Sequence, residues 1–300
     1  MVLAAIDIGS NAARLLIANA HQEHGHILVE KATLVRIPTR LGKDVYESGI
    51  ISEKRADNFV KTLKAFKLLI DVYEPVEFTA CATAAMREAK NGREILARVK
   101  KEAGLKVRLI DGMEEARIIR TTHRIQMLND EKLTAYIDVG GGSTEISIMK
   151  KDQLIKAKSF KIGTLRLLNG KVKSSTWKDI KNWLKEFSPH FGEIKVIGSG
   201  GNINKINKLY GNPEDYNLSL KNLKFAHQHL SQYTIEERIE NMGLRPDRAD
   251  VILPAAEIFL YILKYIQAAG ILVPKIGLAD GLIHIMYEEQ MRKKKMISKG

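Results

Sequence analysis

A single cysteine, Cys81, stands in 300 residues. One thiol cannot build an internal disulfide framework or a multi-cysteine metal site. It lies in the apolar run Phe78-Thr79-Ala80-Cys81-Ala82, where a cysteine serves as small buried filler. The N-terminus lacks a basic region, and Asp7 interrupts its apolar run, so no signal peptide is expected. The long apolar stretch from Val251 to Val273 contains Glu257 and Lys264. A core helix followed by a strand is expected there, with no membrane partner. A cytoplasmic protein is the corresponding expectation. No low-complexity linker separates parts of the chain, so its domains are expected to be closely coupled. No recognised RNA or DNA motif is visible, so nucleic acid is not an expected partner.

What is present fits a globular protein: 45% of residues are hydrophobic and 28% charged. The length suggests two domains. A formal net charge of +13 favours polyanionic partners, although Arg292-Lys293-Lys294-Lys295 alone supplies four of the charges.

The stretch around which the chain is organised is Tyr136-Ile137-Asp138-Val139-Gly140-Gly141-Gly142-Ser143-Thr144-Glu145-Ile146-Ser147-Ile148. It reads as strand, glycine turn, strand. A turn of this kind lets several N–H groups converge into a nest for phosphate. Asp138 and Glu145 flank the turn and would repel phosphate unless a cation lay between them. Magnesium takes carboxylate and phosphate oxygens together. A tight hairpin with solvated acids fits the same residues. A second copy shifts the balance toward the phosphate nest: Ile6-Asp7-Ile8-Gly9-Ser10-Asn11-Ala12-Ala13-Arg14-Leu15-Leu16-Ile17 lies near the N-terminus, with Asp7 131 residues before Asp138. That interval is about one domain, and it suggests two similar domains that each offer a phosphate loop.

Other stretches fill in the pattern. His21, His24 and His26 flank a turn expected at His24-Gly25 and read as a solvated hairpin. Residues 36–49 read as irregular, with Arg36, Arg40 and Lys43 as either cleft or surface charges. Ser52 is expected to cap a helix running to about Val72, whose stripe Ala56, Phe59, Val60, Leu63, Phe66, Ile70 is core. Arg87 follows a strand-to-helix junction and is either a phosphate clamp or a structural ion pair. Glu114 and Glu115 open a helix expected to run to about Leu128. Acids there complement the helix dipole, and a carboxylate near a phosphate site can also take a proton from water. Gly198-Ser199-Gly200-Gly201-Asn202 is a third glycine loop, at a strand end and a helix start. A long helix is expected over about 248–268, with Pro254 as a kink.

Eight segments together resemble the exopolyphosphatase/guanosine pentaphosphate phosphohydrolase (Ppx/GppA) family: IDIGSNAARLLI, ACATAAMREAKN, IDGMEEARII, YIDVGGGSTEISI, FKIGTLRL, VIGSGGNI, RADVILPAAEIFL and IGLADGLI. They stand in the family's order and span residues 4 to about 286. The resemblance implies an actin-like ATPase (ribonuclease H-like) α/β fold. Two similar domains, residues 1–116 and 117–283, would enclose a cleft, and a last helix from about 284 to 300 would pack back on the first. It implies the short, two-domain form, which puts long-chain processivity in doubt.

The resemblance also implies roles. Glu115 corresponds to the base, with Glu114 its neighbour, and Arg87 to a phosphate-contacting arginine. Asp138 and Glu145, with Asp7, correspond to metal and water-positioning acids. Gly9, Ser10, Asn11, Arg14, Gly140, Gly141, Gly142, Ser143 and Gly200 correspond to phosphate-binding positions. Mg²⁺, or Mn²⁺ in its place, is the implied cofactor. Polyphosphate or a phosphorylated guanosine nucleotide is the implied substrate, and a homodimer the implied assembly. Two departures stand out: Ala84 where the family often has Ser, and Gly200-Gly201 where it often has Gly-Thr. The activity expected is exopolyphosphatase, against a guanosine pentaphosphate hydrolase or an inactive nucleotide-binding sensor.

Overall fold

The computed structural model describes residues 1–23, 26–122, 132–151, 153–212 and 214–297. The turn expected at His24-Gly25 lies outside the described residues, as does the expected continuation of the Glu115 helix from 123 to Leu128.

The first apolar run forms β1 (Val2–Ile8), and the run after the Gly9-Ser10-Asn11 turn forms β2 (Ala13–Glu23), antiparallel to it. β3 (His26–Ile37) adds to β2. Helices α1 (Leu41–Ser48) and α2 (Glu53–Tyr73) follow. Then come β4 (Glu77–Ala82), α3 (Ala84–Glu88), α4 (Gly92–Ala103), β5 (Arg108–Leu109) and α5 (Gly112–Thr121).

The second repeat opens with β6 (Leu133–Val139), β7 (Thr144–Lys150) and β8 (Gln153–Phe160). α6 (Thr164–Leu168) and α7 (Ser174–Lys185) precede β9 (Lys195–Ser199) and α8 (Gly201–Tyr210). β10 (Asn217–Ser219), α9 (Leu220–Ser231), α10 (Ile235–Glu240), α11 (Pro246–Ala249), α12 (Ile252–Ile266), β11 (Gly270–Leu272) and α13 (Leu278–Ile297) complete the chain.

The chain divides into two compact units, residues 1–126 with 277–300, and residues 127–276. In the first the strand order is β3-β2-β1-β4-β5; in the second it is β10-β11-β9-β6-β7-β8. In each, three antiparallel strands continue into parallel neighbours: β1 with β4 and β4 with β5, then β6 with β9 and β9 with β11. This is the ribonuclease H-like arrangement, present twice, as in the actin-like fold. Within the first unit α13 packs on β1, β2 and α5 and buries Leu282, Ile283 and Met286 against Leu3, Ala5 and Leu16. The second unit's core joins Ile137, Ile146, Ile148 and Phe160 to Trp183, Phe259 and Ile262.

Three local expectations change. Residues 41–48 are helical, although 36–49 reads as irregular. Ser52 does precede α2, but its hydroxyl makes no cap; it donates to Asp44 instead. The helix expected over 248–268 is two, α11 and α12, with Asp250 and Val251 between them. Pro254 falls in the first turn of α12, where a missing N–H costs nothing. The apolar stretch 251–273 thus becomes α12 and β11, and no described helix is long and apolar enough to cross a membrane.

Candidate active site

Strand alternation and register build the centre of the second unit. Asp138 and Glu145 are direct partners across β6 and β7, and residues so paired share a sheet face. Each offers a carboxylate oxygen within 4.8 Å of the other. Register extends the row outward, with Glu145 opposite Ser159 on β8 and Asp138 opposite Ser199 on β9. Four neighbouring strands therefore present hydroxyl, acid, acid, hydroxyl. Both serines donate to their acids: Ser159 Oγ to Glu145 Oε1 at 2.7 Å, and Ser199 Oγ to Asp138 Oδ1. Glu145 is 2% exposed. Two like charges held side by side, one of them buried, call for a cation or a shared proton.

The glycine loop joins those two strands. Gly140 N–H closes its turn on Ser143 O at 3.0 Å. Behind it, the start of α6 takes up the loop's carbonyls. Thr164 N–H donates to Gly140 O at 2.9 Å, and Leu165 and Arg166 N–H donate to Gly141 O. Arg166 Nε donates to Gly142 O at 2.8 Å. No peptide among the described residues is cis, and in a trans peptide the N–H points opposite to the C=O. The N–H groups of Gly141, Gly142 and Ser143 therefore point away from α6. Gly163 makes this contact possible: a Cβ there would lie 2.5 Å from Gly141 C and Gly142 N.

The first repeat closes its turn with the same bond and is likewise held by a helix start. Gly9 N–H closes on Ala12 O at 3.0 Å, while Gly42 and Arg40 N–H take Ser10 O and Asn11 O. Helix α1, which local pattern did not announce, is thus the counterpart of α6. Ser10 is further held by Tyr46 on α1, hydroxyl to hydroxyl at 2.9 Å. The side chains differ, however. The equivalent row in the first sheet reads Arg36, Arg14, Asp7, Cys81. Arg14 stands where Glu145 stands in the second repeat, and its Nη1 holds Asp7 Oδ2 at 2.7 Å. Burial pushes the Cys81 thiol up, which Arg108 alongside only partly offsets.

The remaining residues sit on helix starts. Gly200 has φ +111° just before α8, and a Cβ there would meet Val139 O at 2.9 Å. Arg87 donates from Nη1 to Ile110 O at 2.6 Å. That bond secures the backbone just ahead of α5. Asp111 caps α5 by accepting Glu114 N–H at 2.8 Å. The two adjacent acids then part company. Glu114 pairs with Arg108 at the exposed side, whereas Glu115 is 9% exposed. Ser159, Ser199 and Arg166 were missed from sequence. Their only signal is register or tertiary contact with the acids and the loop.

The family model of the Ppx/GppA phosphatase family matches residues 16–290. The chain belongs to that family. Among Ppx/GppA structures, that of the Aquifex aeolicus family member is 29% identical, with a TM-score of 0.73 over 97% of this chain and 98% of that one. A bifunctional 3-dehydroquinate synthase/phosphatase of Fusobacterium nucleatum is 29% identical over 293 residues, 90% of this chain and 44% of that protein. Exopolyphosphatase 1 of Mycobacterium bovis is 31% identical over 167 residues, 56% of this chain and 48% of that protein. The chain spans about half the length of these curated relatives.

Proposed function

We propose that this Ppx/GppA protein is an exopolyphosphatase that hydrolyses the terminal phosphoanhydride of inorganic polyphosphate. One observation carries the reading: the paired acids Asp138 and Glu145 adjoin a loop whose amides are turned outward. Amides recruit phosphate and paired acids repel it, so the two belong together only with a cation. Two carboxylates with fixed oxygens suit Mg²⁺, a hard ion that keeps places for water and phosphate oxygens. When bound, it would offset charge on the terminal phosphoryl group.

The protein's own groups do the rest. The amides of Gly141, Gly142 and Ser143 hold the terminal phosphate, and Gly9, Ser10 and Asn11 supply the second loop. Gly200 opens α8 as a further phosphate contact. Arg14, steadied by Asp7, meets phosphate oxygens. Asp7 is thereby a support for Arg14, leaving Asp138 and Glu145 as the cation pair. Glu115 takes a proton from water as the water attacks phosphorus and the bond to the bridging oxygen breaks. Glu114 is spent on Arg108, which favours Glu115 as that base. Arg87 acts through the start of α5, which carries Glu115. The relative named an exopolyphosphatase, and the +13 charge, support a polyphosphate substrate.

The test is phosphate release from polyphosphate, guanosine pentaphosphate and ATP with Mg²⁺. Glu115→Gln is expected to bind polyphosphate but to lose roughly 10²–10³-fold in turnover. Equal turnover in variant and wild type would refute the assignment. Release from the guanosine nucleotide alone would move the reading to that substrate.

A further inference from the structure

The first unit contains a concavity of about 490 Å³ built wholly from its own residues. That volume is in the range of small-molecule sites. One wall is a face of α2: Ser52, Arg55, Asn58 and Thr62 recur at steps of three and four. The other wall is Ile37-Pro38-Thr39, the link from β3 to α1.

The lining is rich in donors. Lys54 and Arg55 add two cations, and Asn58 an amide. No lining residue carries a carboxylate; Asp44 touches the lining residues Arg55 and Ser52 from behind. The guanidinium of Arg55 is fixed there, with Nε 2.9 Å from Asp44 Oδ1 and Nη1 donating to Thr39 O at 3.1 Å. Nη2 takes part in neither contact. Thr39 is 7% exposed, and its Oγ1 has no hydrogen-bond partner among the described residues. An orphaned buried hydroxyl is costly. The Ser52 hydroxyl is spent on Asp44, so the first N–H groups of α2 lack a side-chain cap.

We propose that this cavity binds a phosphorylated small molecule, with phosphate oxygens on Lys54, Arg55 and Asn58 and an apolar portion against Ile37 and Pro38. The volume suits a ligand larger than a single phosphate ion. The site is independent of the hydrolase reading above. It is also one peptide from the first glycine loop: Thr39 O accepts from Arg55, and the next N–H, of Arg40, donates to Asn11 O at 2.9 Å.

Thiol protection tests it. Cys81 is 0% exposed, so Pro38→Cys places the one accessible thiol on the rim. Its maleimide labelling is followed with inorganic triphosphate and with ATP, without Mg²⁺. Labelling is expected to slow about tenfold at a probe concentration ten times its Kd. The protection should vanish when Lys54→Gln or Arg55→Gln is added. Arg55→Gln gives up an ion pair and can unfold; Lys54 is exposed and makes no hydrogen bond or ion pair among the described residues, so Lys54→Gln then carries the test. Unchanged labelling with both probes overturns the proposal. Equal protection with and without Lys54→Gln also overturns it, because the probe then acts from another site. No turnover is read, so this result stands or falls apart from phosphate release.

Discussion

Gly163→Ala is the sharpest test of the loop geometry. The added methyl would lie 2.5 Å from Gly141 C and Gly142 N. Both are backbone atoms of the loop, so no side-chain rotation relieves the overlap. Either the loop or the start of α6 must move. Overpacking costs about 1–3 kcal/mol and each backbone bond loosened about 1 kcal/mol, so a loss of about 3–5 kcal/mol is expected. Urea unfolding should show a lower midpoint with an unchanged slope. Phosphate release from polyphosphate should fall by about 10²-fold if the amides shift by roughly 1 Å. Gly277→Ala is the control: an added Cβ there meets nothing within 4 Å, and a change within about 0.5 kcal/mol is expected. If Gly163→Ala matched that control in both assays, the brace from α6 would not be what directs the loop.

Three further outcomes are expected. Ser159→Ala and Ser199→Ala each remove a hydroxyl that orients an acid, so the Mg²⁺ concentration for half-maximal phosphate release should rise about 10–100-fold. Asp111→Ala removes the cap of α5 and should cost about 1 kcal/mol in urea unfolding. Burial pushes the His284 imidazole below its ordinary pKa, and the carboxylates of Asp280 and Glu288 only partly oppose this. The unfolded chain then binds the proton more readily than the folded one. The resulting stability is full above about pH 6.5 and is lost as pH falls through the lower folded value. Unfolding midpoints followed from pH 8 to pH 5 should show this decline, and His284→Gln should flatten it.

The fold was largely legible because its repeats are local. Two apolar strands around a glycine turn are visible at Asp7 and again at Asp138, and strand period alone places both acids. What stayed hidden depends on distant contacts. Helix α1 has no capping side chain, and Arg40 ahead of it has φ +48°. Its start is secured by carbonyls of Ser10 and Asn11 some thirty residues earlier, which no local window contains. Ser52 looked like a cap because Ser usually is one, yet Asp44 competes for its hydroxyl. Arg87 was visible as an arginine at a helix start, but its partner, the Ile110 carbonyl, is set by tertiary packing. Ser159 and Ser199 are ordinary serines until register places them beside the acids.

The two loops also show where a mutation can do harm. Gly9-Ser10-Asn11-Ala12 and Gly140-Gly141-Gly142-Ser143 share only their first residue, yet they close on themselves with the same bond and are buttressed from behind alike. The direction of the amides is therefore written into helix starts rather than into the loop's own letters. The loop's side chains can drift while the mould keeps its shape. A single methyl on the far side, at Gly163, can displace the loop without altering a residue within it.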